Sequence, residues 1–171
     1  MNSKEFFKTS QPSPQEFLDI FEEVKEREET LICLTLSSKL SGTYQSACLA
    51  KDMVDYENIY IVDTLTAVAG IRLLCEVAIN WIGENRSVEN IVSDLEELKE
   101  RVHIYAGLDT LEYLAKGGRI SKTAAAIGTL ASIKPIICVD HGEVVVAGKT
   151  RGVNKATSVV CLSLIHISEP T

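Results

Sequence analysis

Two short apolar segments constrain the fold of this chain most strongly. Residues 30–36 (TLICLTL) and 59–63 (IYIVD) are apolar at almost every position instead of alternating with polar residues. Such runs are typical of strands that are buried on both faces of a parallel sheet. Before, between and after these two runs, apolar residues recur at helical spacing in the segments 14–24, 42–54, 66–82 and 87–98. The alternation predicts an α/β fold, with a parallel sheet that carries helices on both faces.

Local signals predict where the helices of this first part begin. Ser13 and Glu16 form a capping-box pattern before an apolar stripe that includes Ile20, and Ser87 precedes a second helix. Ser41 is expected to cap the helix that starts at residue 42. A further strand at residues 102–107 is expected to continue the strand–helix alternation.

The pattern changes near Asp109. Short helices are predicted at residues 110–116 and 121–128, and two strands flank a three-residue hairpin turn at residues 140–142. These elements predict the start of a second, α+β domain. We therefore expect an N-terminally incomplete domain at 1–107, a truncated second domain at 108–160, and a non-native tail at 161–171.

Composition excludes several classes of function. The chain has 171 residues, is 46% hydrophobic and carries a net charge of −7, without a basic stripe that would favour nucleic acid. It shows neither a secretory leader nor an apolar run that would favour stable membrane insertion, so a cytoplasmic location is expected. The five cysteines lack CxxC spacing and are expected to be buried free thiols. The three histidines are scattered, so neither a metal nor a cofactor is expected.

The loop at residues 37–43 (SSKLSGT) is the strongest candidate for a binding site. It follows the carboxyl end of a predicted central strand, where ligands bind in open parallel sheets. Its hydroxyl groups and the unpaired amides of the following helix are donors that suit an anion, and Gly42 allows close backbone approach. An ordinary polar loop before a capped helix remains the alternative.

Three other segments could contribute to the same crevice. They are the hydroxyl-rich loop with Thr9 and Ser10, the strand end with Thr64, and the paired glycines that lead from Gly118 into Arg119. Each could equally be a plain turn. Dinucleotide and P-loop fingerprints are absent, and the serines lack the GxSxG pattern of a hydrolase elbow.

Together these motifs resemble the DegV family of bacterial fatty-acid-binding proteins. The resemblance rests on TSQPSP (9–14), SSKLSGTYQSA (37–47), VDT (62–64), LEYLAKGGRIS (111–121) and IKPII (133–137), in that order, and covers roughly residues 8–156. The family usually has serine after the aspartate where this chain has Thr64. The chain also lacks a first strand–loop segment and most of the second domain, so it is interpreted as a fragment.

The resemblance implies a fatty acid bound between two domains. Its carboxylate would bind Thr9 and Ser41, with Ser38 and the Gly42 amide nearby. The residues expected to line the crevice are Ser10, Thr43, Thr64, Gly118 and Arg119. The acyl chain would enter a tunnel in the second domain, whose wall could include the aliphatic segments 124–127 and 130–133.

The resemblance also implies a carrier without catalytic residues. In some members a separate fatty-acid kinase phosphorylates the bound acid. Arg151 matches a basic position that could face such a partner, and an ordinary solvated arginine is the equal alternative. The alternatives are a small-molecule transferase or hydrolase that uses the same anion site, and a regulatory module whose lipid-loaded form binds another protein.

Overall fold

The computed structural model describes residues 9–120, 133–152, 155, 157, 158 and 160. Its first elements are α1 (Pro14–Glu26), β1 (Leu31–Thr35), α2 (Thr43–Val54), β2 (Ile59–Asp63), α3 (Ala69–Gly83) and α4 (Val88–Leu98). A 3-10 turn at Lys99–Arg101 leads into β3 (Ile104–Gly107), α5 (Glu112–Lys116), β4 (Ile133–Asp140) and β5 (Glu143–Arg151). The fold is therefore mixed α/β, as predicted.

Strands β1 and β2 pair in parallel, with Leu31 opposite Ile59 and Thr35 opposite Asp63. Because successive side chains of a strand point to opposite faces, β1 serves two cores. Cys33 packs toward the core of α1 and α2, whereas Ile32 packs toward the core of α3 and α4. The prediction of a parallel pair covered by helices on both faces is confirmed.

The strand β3 corrects one expectation. The sequence predicts that it continues the parallel alternation, but it pairs antiparallel with β4, and β4 pairs antiparallel with β5. The reason is that the backbone of β3 forms its hydrogen bonds with the apolar strand β4, which lies far along the chain and which local sequence patterns do not reveal as its partner. The resulting sheet combines β3, which ends at residue 107, with β4 and β5. It therefore contains strands from both sides of the domain boundary that the sequence predicts at residue 107.

The β4–β5 hairpin has a two-residue turn, not the predicted three-residue turn. Asp140 pairs with Glu143, which leaves His141 and Gly142 at the tip. Both have positive φ, 43° and 85°. This is the type I′ arrangement whose twist matches the flanking strands, and glycine at its second position satisfies it without strain.

The first helix begins as predicted, but one expected core residue lies outside. The Ser13 hydroxyl accepts the Glu16 amide at 3.3 Å, and the Glu16 carboxylate accepts the Ser13 amide at 2.7 Å. Phe21 is buried against α2, whereas Ile20 is 56% exposed. The buried stripe is thus narrower than the apolar spacing suggests.

Two other helix starts differ from the sequence prediction, and one agrees with it. The N-cap of α2 is Gly42, not Ser41, although the Ser41 hydroxyl accepts the amide of Thr43, the first residue of the helix, at 3.4 Å. Helix α3 begins at Ala69 instead of residue 66, after a loop in which Leu65 and Val68 have positive φ. Ser87 caps α4 as predicted.

The cysteines at 33, 48, 75 and 138 are free and partly buried, less fully buried than expected. Among the described residues, every helix is too short or too polar to cross a membrane. These residues also contain no cluster of His, Cys, Asp and Glu side chains that could hold a metal ion.

Candidate functional site

A cavity of about 910 Å³ lies between the loops at the carboxyl ends of β1 and β2 and the antiparallel sheet. The segment 9–12, the start of α3, α5 and all three strands of the antiparallel sheet contribute to its wall. The side chains at one part of the wall are polar, and most of the rest are aliphatic. The cavity thus brings together the hydroxyl-rich segments that the sequence singles out.

Four hydroxyl residues of the wall are those expected from the sequence, namely Thr9, Ser10, Ser41 and Thr43. The hydroxyls of Ser41 and Thr43 lie 2.8 Å apart. Only one of them can donate to the other, so the second hydroxyl keeps its hydrogen for a ligand. Thr43 also opens α2, whose first-turn amides lack carbonyl partners within the helix. This part of the cavity can solvate an anion without a buried cation.

The remainder of the wall is largely aliphatic. Ile137 and Val139 contribute from β4, Val144 from β5, Ile104 from β3 and Leu114 from α5. Residues 137 and 139 lie two apart on one strand, so their side chains share a face. The geometry suits an amphipathic ligand with an anionic head and a hydrocarbon tail.

Gly42 lies beside the wall and makes room for the segment 9–12. A Cβ atom at Gly42 would lie 2.6 Å from the side-chain nitrogen Nε2 of Gln11. Glycine therefore allows Gln11 to lie against the start of α2, which brings Thr9 and Ser10 to the cavity. The sequence did not identify Gln11 as a site residue, although it lies within the TSQP motif.

Ser38 contributes through its backbone and is not among the lining residues. Its amide donates to the Asp63 carboxylate at 3.0 Å, and the same oxygen accepts the Leu65 amide at 3.3 Å. Asp63 therefore connects the loop after β1 to the loop after β2. The sequence pointed to Asp63 and Thr64 as a strand end that could line the crevice, whereas in the structure the Asp63 carboxylate binds two loop amides.

Thr64 is fully buried and lies apart from the cavity wall. Its hydroxyl donates to the Thr35 carbonyl at 2.7 Å and accepts the Thr66 amide at 3.4 Å. The hydroxyl thus joins the ends of the two parallel strands. A strand end with threonine was expected in the crevice, but here its hydrogen bonds are used internally.

The paired glycines position Arg119 beside the same loop. Its Nε donates to the Leu40 carbonyl at 3.0 Å, and its Nη1 donates to the Gly117 carbonyl. Arg119 lines the main cavity and a neighbouring cavity of about 500 Å³, which Gly118 and Lys39 also line. Gly118 has a φ of 75°, which explains a glycine at this corner.

Arg119 is the single charged side chain among the described residues of the main cavity wall. Near the site, Lys99 donates to the backbone carbonyl of Asp63 at 2.9 Å.

A hydrogen bond with the Cys48 thiol, and then burial, raises the pKa of Tyr44 in the first turn of α2. That phenol therefore adds no negative charge at the start of α2.

Arg151 is exposed at the end of β5. The segment 124–127, and the segment 130–133 apart from Ile133, lie outside the described residues. The sequence did not identify the aliphatic residues of β3, β4 and β5 as wall. Their apolar alternation could have pointed to a buried face, but not to which cavity that face lines.

Comparison with known proteins places these features in one family. A family model described as "Uncharacterised protein, DegV family" matches residues 1–169. A DegV domain-containing protein of Clostridium acetobutylicum is 41% identical over 152 residues, which are 89% of this chain and 54% of the relative. A protein of Thermotoga maritima named a fatty acid-binding protein is 38% identical over 152 residues, which are 87% of this chain and 52% of that protein.

Among solved structures, a stearic acid-binding protein from Eubacterium ventriosum has a TM-score of 0.89 and 29% identity. The alignment covers 97% of this chain and 58% of that one. The chain thus spans about half the length of the curated relatives it matches.

Proposed function

The chain belongs to the DegV family, and from this premise we propose that the protein binds a long-chain fatty acid. The observation that carries the proposal is the two-part wall of the 910 Å³ cavity. Hydroxyls of Thr9 and Ser41 meet the carboxylate, and the strands of the antiparallel sheet meet the acyl chain. The relatives named for fatty acid and stearic acid binding support the same ligand class.

The energetics favour this division of roles. Burial of an acyl chain contributes roughly 0.8 kcal/mol per CH₂, so the tail supplies most of the affinity. The head must then be satisfied, because a buried carboxylate without partners is costly. Hydroxyls and helix amides supply donors, and the Arg119 guanidinium adds a favourable charge on the same wall.

The direct test is mass spectrometry of the purified protein under non-denaturing conditions. We expect a co-purified fatty acid, and competition with added stearic acid should replace it. Purified protein that carries no lipid and shows no thermal shift with stearic acid would contradict the proposal. Stearyl alcohol is the matched probe, since it keeps the chain and removes the carboxylate.

We further propose that the protein is a carrier that presents the acid to a fatty-acid kinase, with Arg151 at the contact. The kinase would transfer the γ-phosphoryl group of ATP to the carboxylate, which gives acyl phosphate and ADP. Arg151→Ala should lower acyl phosphate formation without loss of bound lipid. Arg27→Ala, at an exposed arginine that ends α1 instead of β5, is the control.

A further inference from the structure

One buried hydrogen bond joins the two walls of the cavity. The Ser37 hydroxyl, which is fully buried, donates to the Gly142 carbonyl at 2.7 Å. Ser37 follows β1 at the carboxyl end of the parallel sheet, whereas Gly142 lies in the turn of the β4–β5 hairpin. The bond therefore connects residues that are 105 positions apart.

Ser37 also shapes the loop that bears the anion-binding hydroxyls. Its carbonyl accepts the amides of Leu40 at 3.0 Å and Ser41 at 3.1 Å. The Ser37 hydroxyl accepts the Lys39 amide at 3.3 Å, and the Ser37 amide donates to the Thr66 backbone carbonyl at 2.9 Å. Leu40 and Ser41 both line the cavity, so Ser37 fixes one wall from behind.

Gly142 fits the other side of this contact only without a side chain. A Cβ there would lie 2.6 Å from the Ser37 hydroxyl and 3.2 Å from Leu65 Cδ2, at a φ of 85°. The residues Val139 and Val144, which flank the turn, line the cavity. Any displacement of Gly142 therefore moves the apolar wall relative to the hydroxyl loop.

We propose that Ser37 is a positioning residue whose hydrogen bond to Gly142 holds the turn of the β4–β5 hairpin against the loop at residues 37–43. This contact, the Ser37–Gly142 clasp, controls how long the acyl chain stays bound. This inference rests on the proposed fatty-acid function. Ser37 does not line the cavity and so acts through the hairpin. Removal of the Ser37 hydroxyl weakens the contacts between the apolar wall and the hydrocarbon tail. Removal of the Ser41 hydroxyl weakens the hydrogen bonding of the carboxylate instead.

Dissociation of stearic acid and of stearyl alcohol separates these roles. Ser37→Ala should speed the release of both lipids by a similar factor, about tenfold, because the acyl wall is common to them. Ser41→Ala should speed the release of the acid much more than that of the alcohol. Release rates in Ser37→Ala within twofold of wild type, or an effect confined to the acid, would overturn the inference.

Hydrogen–deuterium exchange without lipid tests the clasp independently of binding. Ser37→Ala should increase exchange in β4 and β5 near the turn, while α1 keeps its wild-type exchange. Ser46→Ala, at a buried serine of α2, is the matched control and should leave the hairpin unchanged. Unchanged hairpin exchange in Ser37→Ala would overturn the clasp, whereas failure of the wild type to bind either lipid would contradict the proposed function instead.

A second variant keeps the test open if Ser37→Ala folds poorly. Gly142→Ala should loosen the same hairpin amides, since its methyl group meets the Ser37 hydroxyl. Gly152→Ala is the matched control, since Gly152 has a similar positive φ of 81° but open space around it, and this change should leave the hairpin amides near the turn unchanged. Equal effects of Gly142→Ala and Gly152→Ala on these amides would contradict a direct contact between Ser37 and Gly142.

Discussion

The Asp63 carboxylate accepts the backbone amide of Ser38, and this bond connects the end of β2 to the loop after β1. The Ser38 amide lies three residues before Ser41, whose hydroxyl lines the cavity. A single carboxylate thus helps to set the position of a hydroxyl group that it does not touch.

Replacement of Asp63 should therefore affect both stability and lipid binding. Asp63→Ala leaves the amides of Ser38 and Leu65 without their acceptor, which should cost about 1–3 kcal/mol of unfolding free energy. It should also weaken stearic acid binding. Asp63→Asn keeps an oxygen acceptor and should be milder in both urea denaturation and lipid titration. Equal losses in the two variants would argue against the hydrogen bonds as the cause.

Ser41→Ala should weaken stearic acid binding by roughly ten- to a hundredfold, since a hydrogen bond to a charged group contributes about 1.5–3 kcal/mol. Binding of stearyl alcohol should change much less. Isothermal titration with both lipids makes the comparison. A parallel loss for acid and alcohol would place Ser41 at the tail instead of the head.

Gly70→Ala should destabilise the protein although alanine favours helices. Its methyl group would overlap the Thr66 hydroxyl, and Ile104 Cδ1 would lie at 3.0 Å. Overpacking of this kind costs about 1–3 kcal/mol. Gly83→Ala, in the same helix with open space around it, should be neutral or slightly stabilising. Thermal unfolding of both variants distinguishes steric conflict from helix propensity.

The first helix should make stability depend on pH. Hydrogen bonds from the Ser13 backbone, and then from its side chain, hold the pKa of Glu16 below its usual value of 4.5. A lowered pKa stabilises the folded state above pH 4.5, and this contribution is lost as the pH falls through the folded-state pKa. The stability advantage of wild type over Glu16→Gln should therefore shrink below pH 4.5.

Denaturation with urea from pH 7 to pH 3 checks this prediction. In a Ser13→Ala background, which itself should cost about 1 kcal/mol, the pH-dependent difference should become smaller but persist, because the Ser13 backbone amide still donates to Glu16. A difference between wild type and Glu16→Gln that stays constant with pH would contradict the assigned hydrogen bonds.

Cys33 should be inert in the folded protein. Burial, with a smaller contribution from Cys48, raises the pKa of Cys33 to about 11. At pH 8 roughly one thiol in a thousand would then be ionised, and the thiolate is the reactive form. Iodoacetamide followed by peptide mass spectrometry should modify Cys33 only after denaturation. Rapid labelling of Cys33 in folded protein would show that the strand is more open than its packing indicates.

The sequence alone predicted most of the local elements and suggested a class of binding site. Apolar runs without alternation identified β1 and β2 as buried parallel strands, because both faces of such strands meet helices. The capping pattern at Ser13 identified the start of α1. Clustered hydroxyls at a strand end pointed to an anion site, because these are the donors that an anion needs.

Only the tertiary structure decided which segments meet. It joined β3 to β4, used the Thr64 hydroxyl to tie two strands together, and brought Gly142 onto Ser37. Strand pairing and buried hydrogen bonds depend on partners that are distant in the chain, and local propensity carries no record of them. The sequence could therefore supply the hydroxyls of the cavity, whereas the fold alone selected its apolar wall and the contact that holds the two together.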